Sequence, residues 1–446
     1  MSNKLLALNY KTILSVALPM MVSGFIQSIV LITDSAFISR YSVEGFDAVG
    51  NAGLAYITFF MMLLGMSDGA QIIMARRIGE NRGDQLGRLL NATWIVLGSL
   101  ALVFFLVLTF LIPDWISYYS KNKVVADLQG EFILHRSYGL FFSMITLGFH
   151  AFYLAQGKSW VVLISALLTA STNILLDYLL IFGIGIFPKM GVAGAATANS
   201  IADAIGMLFL ICFTLATNRK NEFGLFAPLK GIWNELKELL KVGTPLLLQG
   251  FSALFTWTLF FTWIEQMGKH QLTVSQNIRS IYFLAFVPIW GFAGTTKTYI
   301  SQYIGANRQQ DLVKIQRRIQ FLTFMFMLLS FHGAVLYPEV LISIINPHEV
   351  YIKDSSAILR LVAGSIMLFA LVSVYFQTIH GSGNTLVSMT IEIISVLVYT
   401  ISVFLFIKVW TFDIYHVWTV EYIYFGTMGL LSFLYLKLFN WNNKVI

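Results

Sequence analysis

The stretch Ile78-Gly79-Glu80-Asn81-Arg82 returns later in the chain as Ile304-Gly305-Ala306-Asn307-Arg308. The shift from position 82 to position 308 is 226 residues, and the same shift places Pro19 on Pro245. Further matches at this shift join Asn51 to Asn277, Tyr56 to Tyr282, Gly65 to Gly291 and Leu86 to Leu312. Because the shift is constant and polar residues, glycine and proline carry it, the chain is predicted to contain two structurally similar halves.

Composition places both halves in a membrane. Hydrophobic residues make up 57% of the 446 residues and charged residues only 11%, against roughly 25% charge in a soluble domain. Many apolar stretches exceed the ~20 residues that a spanning helix needs, and they are continuous rather than alternating, which favours helices over a barrel. The single cysteine, Cys212, provides no disulfide framework.

The predicted fold is therefore an all-α integral membrane protein with about 12 transmembrane helices in two pseudo-symmetric six-helix bundles. The predicted spans lie near 11–38, 47–75, 88–112, 129–155, 160–186, 191–217, 237–267, 273–301, 315–345, 355–380, 385–409 and 414–438. We expect an N-terminal bundle over 1–217, a linker over 218–236 and a C-terminal bundle over 237–446. Residues 232–240 are interpreted either as a separate interfacial helix or as the start of the seventh span.

The net charge of +7 is distributed by topology. Most Lys and Arg residues fall on one alternate set of inter-span segments, which the positive-inside rule assigns to the cytoplasm together with both termini. The opposite set holds fewer, among them Arg40 and Arg136. The excess charge therefore indicates orientation in the bilayer and does not indicate a nucleic-acid partner.

Ionisable residues inside spans are costly and are functional candidates by default. Asp34 lies near the outer end of span one, and Asn173 and Asp177 lie four residues apart on span five, which puts them on one helix face. Gln27 shares the face of Asp34. Thr197 and Asn199 open span six at a similar depth, at ~1.5 Å per residue.

Carboxylates, amides and a hydroxyl at one level are hard ligands that suit a proton or Na⁺. We expect Asp34 and Asp177 to approach each other, and two carboxylates in a low-dielectric site repel, which favours a proton or a cation between them. Asp203, about 6 Å deeper than Asn199, is interpreted either as a second proton carrier or as a partner of a neighbouring side chain.

The second half lacks this arrangement. The 226-residue shift places Asp34 on Phe260, Asn173 on Tyr399 and Asp177 on Val403. Its own buried acids are Glu392 and Glu421, each interpreted as a substrate ligand, a proton carrier or an interhelical contact. Asp68 on span two, beside Gly69, is a further candidate for the inner mouth.

A tandem repeat of an apolar half is typical of secondary transporters. The sequence has no Walker A motif, His-Glu-x-x-His, Gly-x-Ser-x-Gly or Cys-x-x-Cys, which argues against an ATP motor and against common enzyme classes. We therefore expect a protein that is not an enzyme and that needs no cofactor besides a coupling ion.

The chain resembles the multidrug and toxic compound extrusion (MATE) transporters over nearly its whole length. The resemblance rests on the order of several motifs. These are Ala17-Leu18-Pro19, Asp34, the run from Ala75 to Arg82, the run from Asn173 to Asp177, Gly191-Val192-Ala193-Gly194-Ala195-Ala196-Thr197-Ala198-Asn199, the repeat at 304–308 and Gly381-Ser382-Gly383-Asn384-Thr385.

This resemblance implies two bundles around a central cavity and drug export by H⁺ or Na⁺ antiport. It assigns cation binding to Asp34, Asn173 and Asp177, with Gln27 nearby. The family usually has Thr in the span-six run where this chain has Asn199, with Thr197 two residues earlier, so the fourth ligand stays open. The acid that some members carry on span seven or ten is missing mid-span here.

The expected substrate is an amphipathic organic cation, the expected location is the cell (inner) membrane, and the expected state is a monomer. The alternative within the same superfamily is a lipid-linked oligosaccharide flippase, which Arg279 and Lys297 on span eight favour. A membrane-embedded enzyme or a non-transporting receptor is the alternative from another class.

Overall fold

The computed structural model describes residues 5–119, 122–217, 220–225 and 231–443. Within these ranges the chain is helical and contains no strand. Ten helices are individually long and apolar enough to span a bilayer, and an eleventh span is formed if two helices joined by a 42° bend count as one. The all-helical membrane fold expected from composition is therefore confirmed.

Helices α1 to α9 occupy the first half of the chain. Their bounds are α1 Tyr10–Tyr41, α2 Val43–Gly79, α3 Leu86–Leu106, α4 Ile112–Tyr119, α5 Lys123–Ser137, α6 Gly139–Ala155, α7 Ser159–Phe182, α8 Gly191–Ala216 and α9 Lys220–Phe223. A 3₁₀ turn at Gly83–Gln85 precedes α3, and a π-helical turn at Val107–Leu111 follows it.

Helices α10 to α18 occupy the second half. Their bounds are α10 Trp233–Glu265, α11 Lys269–Gly305, α12 Leu312–Phe331, α13 Gly333–Leu336, α14 Pro338–Ile345, α15 Glu349–Gly381, α16 Thr385–Phe404, α17 Ile414–Val417 and α18 Val420–Leu438. Further turns lie at Gln309–Asp311, Leu405–Val409 and Trp441–Asn443.

The 226-residue shift extends to the helix ends. It carries the bounds of α2 onto those of α11, and the 3₁₀ turn at Gly83–Gln85 onto that at Gln309–Asp311. The matching residues Asn81 and Asn307 both adopt a left-handed backbone, with φ of 57° and 55°. Asparagine tolerates this conformation better than most residues, so the shared Asn ends the two long helices in the same way.

The chain divides into two compact units whose boundaries cut through α1 and α10. The first unit contains Val22–Gly250, and the second contains Leu5–Met21 together with the described residues from Phe251 onward. These boundaries differ from the predicted bundles, which begin at residues 1 and 237. Each unit is therefore completed by the first part of a helix that continues in the other unit.

Close packing explains why the first part of α10 belongs to the first unit and why the first part of α1 belongs to the second. In the first unit, a β-carbon on Gly65 would lie 2.4 Å from the Leu246 carbonyl oxygen, and Arg77 Nη2 donates to both carboxylate oxygens of Glu238 at 2.8 and 2.7 Å. In the second unit, the Tyr299 and Tyr303 hydroxyls donate to the carbonyl oxygens of Ala7 and Leu6 at 3.0 and 2.9 Å.

Two predicted segments differ from the structure. The linker predicted over 218–236 is partly helical, because α10 begins at Trp233 and continues without a break to Glu265. Residues 232–240 therefore start span seven and form no separate interfacial helix, while 218–219 and 226–230 lie outside the described residues. The span predicted near 315–345 is α12 followed by α13 and α14, since the helix is interrupted before Gly333 and Pro338.

Candidate functional site

The predicted acids of the first half meet inside the first unit. Asn173 and Asp177 lie on α7 with only 1% and 0% of their surface exposed. Asp34, on the part of α1 that belongs to this unit, is half-buried and close enough to Asp177 to interact with it directly. The helix spacing of four residues turns both α7 side chains inward, so α1 and α7 bring two carboxyl groups and an amide together.

Five polar atoms of these three residues have no hydrogen-bond partner among the described residues. They are Oδ1 of Asp34, Nδ2 and Oδ1 of Asn173, and both carboxylate oxygens of Asp177. Most buried polar atoms in proteins are paired, and an unpaired one costs about 1–3 kcal/mol. Unpaired buried polar atoms are therefore concentrated at these three residues.

Of the two candidate side chains at the start of α8, Thr197 and Asn199, only Asn199 joins this group. Asn199 Nδ2 donates to Asp34 Oδ2 at 3.1 Å and to the Ala195 carbonyl oxygen at 3.1 Å. The Thr197 hydroxyl instead lies 3.3 Å from His135 Nδ1. Asn199 is therefore the neighbour of Asp34, and Thr197 belongs to a separate contact between α5 and α8.

Asp203 forms an ion pair with Arg136, which the charge distribution of the sequence assigned to an outer segment. Arg136 Nη1 donates to Asp203 Oδ2 at 2.8 Å, and the Ser143 hydroxyl reaches the same oxygen at 3.3 Å. The guanidinium carbon lies 4.0 Å from the centre of the Tyr56 ring, which is cation–π range. The interpretation of Asp203 as a partner of a neighbouring side chain is the one that this geometry favours.

The placement of Arg136 corrects its assignment to an outer loop. Its side chain is only 13% exposed, and its charge acts on Asp34 and Asp177 as well as on Asp203. Arg136 is therefore a buried residue of the first unit and not a charge of an outer loop. The sequence signal was present, because residue 136 lies inside the span predicted over 129–155.

Gln27 does not contact this group. The Gln27 side chain, two turns before Asp34 on α1, is exposed and makes no hydrogen bond with any described residue. Asp68 is half-buried on α2 beside Gly69. Sharing a helix face with Asp34 is therefore not enough to bring Gln27 into contact with the carboxyl groups.

The second unit holds its two buried acids in a network of tyrosines. Glu421 accepts hydrogen bonds from Tyr282 at 2.5 Å and from Tyr399 at 3.1 Å. Glu392 accepts one from Tyr424 at 2.6 Å. The described residues provide no basic partner for either acid.

The positions equivalent to the first-unit acids are part of an apolar core here. Phe260 and Val403, which the shift matches to Asp34 and Asp177, are 1% and 0% exposed. The Phe260 ring packs edge-on against Trp418 at 5.1 Å and tilted against Tyr399 at 5.8 Å. The two units thus have matching helices, but the side chains at equivalent positions differ in their chemistry.

Carboxyl and amide groups dominate the chemistry of this site. Among the described residues no group of three or more His, Cys, Asp or Glu side chains is arranged to hold a metal ion. Carboxylate and amide oxygens are hard ligands, and the acids Asp34, Asp177 and Asp203 interact here with one arginine, Arg136.

Comparison with known proteins agrees with the internal repeat. The family model described as MatE matches residues 19–179 and again residues 245–405, two segments of equal length separated by the same 226-residue shift. The chain belongs to the MatE family. As a MatE member it is a multi-pass membrane transporter and not an enzyme.

Relatives and solved structures extend this likeness over most of the chain. A protein of Thermotoga maritima named "Probable multidrug resistance protein NorM" is 28% identical over 448 residues, covering 95% of this chain and 92% of the relative. A structure described as an outward-facing multidrug resistance MATE family transporter of the MOP superfamily matches with a TM-score of 0.88 at 20% identity, covering 96% of this chain and 95% of the other.

A crystal structure of a mutant of the Vibrio cholerae MATE transporter VcmN matches this chain with a TM-score of 0.86 at 16% identity, covering 97% of this chain and 98% of the other. At these identities the structural matches establish the MatE fold of the chain. The role of each site residue has to be argued from its own contacts.

Proposed function

We propose that this chain exports amphipathic organic cations by antiport with H⁺ or Na⁺, and that the coupling ion binds at Asp34, Asn173 and Asp177. Membership of the MatE family and likeness to a protein named as a multidrug resistance protein make the chain a multidrug efflux transporter. Its substrates are small molecules handled within a membrane. The coupling ion, its site and the cationic character of the drugs are the parts that we propose.

The observation that carries the proposal is the set of unpaired polar atoms at this site. Asp177 is fully buried, and both of its carboxylate oxygens lack a donor among the described residues. Isolated buried charge is very costly, so the pair of Asp34 and Asp177 requires a proton or a metal cation to neutralise it. The amide of Asn173 supplies an additional oxygen at the same place.

Coupling follows from competition for negative charge. Binding of H⁺ or Na⁺ at Asp34 and Asp177 removes charge that attracts a cationic drug to the first unit. Ion entry therefore weakens drug binding, and by linkage the drug weakens ion binding by the same factor. Two ligands that exclude each other on one transporter produce antiport without ATP.

The flippase alternative receives little support from the two basic residues that suggested it. Arg279 and Lys297 both lie on α11 and are 18 positions apart, which is about 27 Å along a helix. The Arg279 guanidinium lies over the Phe261 ring at 5.1 Å. Two charges at that separation do not by themselves form a pocket for one pyrophosphate group.

The same proposal includes the orientation expected from the charge distribution, with both termini in the cytoplasm and the protein acting as a monomer in the cytoplasmic membrane. Nucleic acid has no role in it.

The test uses purified protein in liposomes and ethidium, a fluorescent organic cation. A pH gradient or a Na⁺ gradient is imposed alone, with the membrane potential clamped. The proposal expects ethidium to accumulate against its gradient with at least one of the two ions. Accumulation with neither ion would overturn it, and transport of an anionic lipid pyrophosphate instead would favour the flippase.

A further inference from the structure

A bend in the fourth span lies next to an arginine that is buried in the first unit. Helix α5 ends at Ser137 and α6 begins at Gly139, with a 42° bend between them. Arg136 lies in the last turn before this bend, with its side chain 13% exposed and its Nη1 2.8 Å from Asp203 Oδ2. Asp203 in turn lies one helical turn after Asn199, which donates to Asp34.

Glycine at position 139 provides the room for the guanidinium. A β-carbon there would lie 2.2 Å from Arg136 Nη1, 3.1 Å from Asp203 Oδ2 and 3.2 Å from the Ser200 hydroxyl. Even an alanine would therefore displace the charged group from its partner. The bend, the glycine and the ion pair form one arrangement that holds a positive charge in a fixed place.

The second half of the chain provides an internal comparison. The 226-residue shift matches Arg136 to Val362, Gly139 to Ser365 and Asp203 to Gly429. The equivalent helix α15 runs unbroken from Glu349 to Gly381, and Val362 is fully buried in the apolar core. The fold of one half thus forms without the bend and without the ion pair, so both belong to the unit that contains the coupling acids.

We infer that Arg136 is a positioning residue that acts as a tethered counter-cation, weakening the binding of the coupling ion at Asp34 and Asp177 so that the ion can leave. The inference rests on the proposed function and extends it. Arg136 contacts Asp203 on α8 at 2.8 Å and the Tyr56 ring on α2 at 4.0 Å. Asp203 lies one helical turn after Asn199, which donates to Asp34 on α1 at 3.1 Å. The Arg136 charge thereby acts on Asp34 and on Asp177 of α7. Asp203, held by this pair, serves to fix the guanidinium and is not itself a carrier of the coupling proton.

The charge argument predicts opposite effects for the two members of the pair. Arg136→Gln removes a positive charge near the site, so the coupling ion should bind more tightly. At an effective dielectric constant of about 20, a unit charge on the order of 10 Å from any ion changes the binding constant of that ion by roughly tenfold. Asp203→Asn leaves the guanidinium uncompensated and should weaken ion binding by a similar factor.

The double variant Arg136→Gln/Asp203→Asn removes both charges and should bind the ion with an affinity between those of the two single variants. Arg136→Lys keeps the charge and should also stay near wild type, which covers the case in which Arg136→Gln fails to fold. Arg82→Gln is the matched control, because Arg82 is an exposed arginine of the same unit that lies beyond the end of α2 and pairs with Glu80, and it should leave ion binding unchanged.

The measurement is ethidium binding to each purified variant over a series of Na⁺ concentrations and pH values. The concentration of ion that halves ethidium binding reports ion affinity. Shifts of opposite sign for Arg136→Gln and Asp203→Asn, with an intermediate affinity in the double variant, are expected. A purely structural ion pair predicts losses in one direction for both single variants, and that result would overturn the inference.

Infrared spectroscopy separates failure of this inference from failure of the proposed function. The carbonyl stretch of protonated carboxyl groups is followed against pH, with the band assigned by its loss in Asp177→Asn. The band should persist to higher pH in Arg136→Gln and disappear at lower pH in Asp203→Asn, whether or not ethidium competes with the ion. Unchanged band positions along the pH axis in both variants would refute a role for the Arg136 charge.

Discussion

Helix α2 meets the first part of α10 at Gly65, and the contact leaves no room for a side chain. A β-carbon on Gly65 would lie 2.4 Å from the Leu246 carbonyl oxygen and 2.8 Å from the Leu247 nitrogen, whereas ordinary contact begins at 3.4 Å. Gly65→Ala therefore requires the two helices to separate locally by about 1 Å. The obstacle is backbone and cannot rotate away, so we expect a loss of about 2 kcal/mol in the free energy of unfolding.

Gly50→Ala is the matched control, because Gly50 lies on the same helix and a β-carbon there would meet no described atom within 4 Å. It should stabilise the protein by up to ~1 kcal/mol through helix propensity. Gly291→Ala should cost less than Gly65→Ala, since the backbone atoms nearest to its β-carbon, the Ala17 carbonyl oxygen and the Met21 nitrogen, would lie at 3.1 and 3.2 Å, and its one shorter contact, at 2.5 Å, is with a side-chain atom of Met21. Unfolding of the variants in detergent, followed by circular dichroism, gives the ranking. Equal stability of Gly65→Ala and Gly50→Ala would refute the packing of α10 in the first unit.

Three further outcomes are expected. Asp34→Asn and Asp177→Asn should fold normally but lose gradient-driven export. A gradient of one pH unit supports a roughly tenfold difference in drug concentration across the membrane per coupled proton. In a vesicle assay, either variant should give a concentration ratio near one. Glu421→Leu should lower the free energy of unfolding by about 1–3 kcal/mol for each tyrosine hydroxyl left unpaired, whereas Glu421→Gln should lower it much less. Equal losses in the two variants would contradict the tyrosine network. The backbone N–H of His416 lowers the pKa of Asp413 at the start of α17. The Asp413 cap therefore stabilises α17 fully at pH values above the unfolded pKa of about 3.9, and this stabilisation is lost as the pH falls through the lower pKa of the folded state. If amide exchange at His416 does not accelerate over that fall in pH, the cap is contradicted.

The repeat made most of the helical framework predictable. One constant shift, carried by Asn, Pro, Gly and Arg, predicted pairs of helices that begin and end at equivalent positions, such as α2 and α11. Helix periodicity also placed Asn173 and Asp177 on one inward face. These features depend on local spacing and on apolar length, which a single sequence records directly.

Contacts between distant helices were harder to foresee. Arg136 was counted with the charges of the outer segments although it lies inside the span predicted over 129–155, and no proline marks the bend between α5 and α6. Gln27 shares a helix face with Asp34 yet remains exposed, since a face covers a wide angle and says nothing about which neighbour it meets. The first part of α10 packs in the first unit because of glycine contacts that only the assembled helices reveal.

The most direct test of the coupling site runs the exchange in reverse. Proteoliposomes are loaded with ethidium, the drug gradient is the only driving force, and movement of Na⁺ and of H⁺ is recorded for wild type and for Asp177→Asn. Exchange at Asp34 and Asp177 predicts that efflux of the drug draws at least one of the two ions into the vesicles with wild type, and neither ion above the protein-free level with Asp177→Asn. Drug efflux without counter-movement of either ion, or undiminished ion movement with Asp177→Asn, would contradict it.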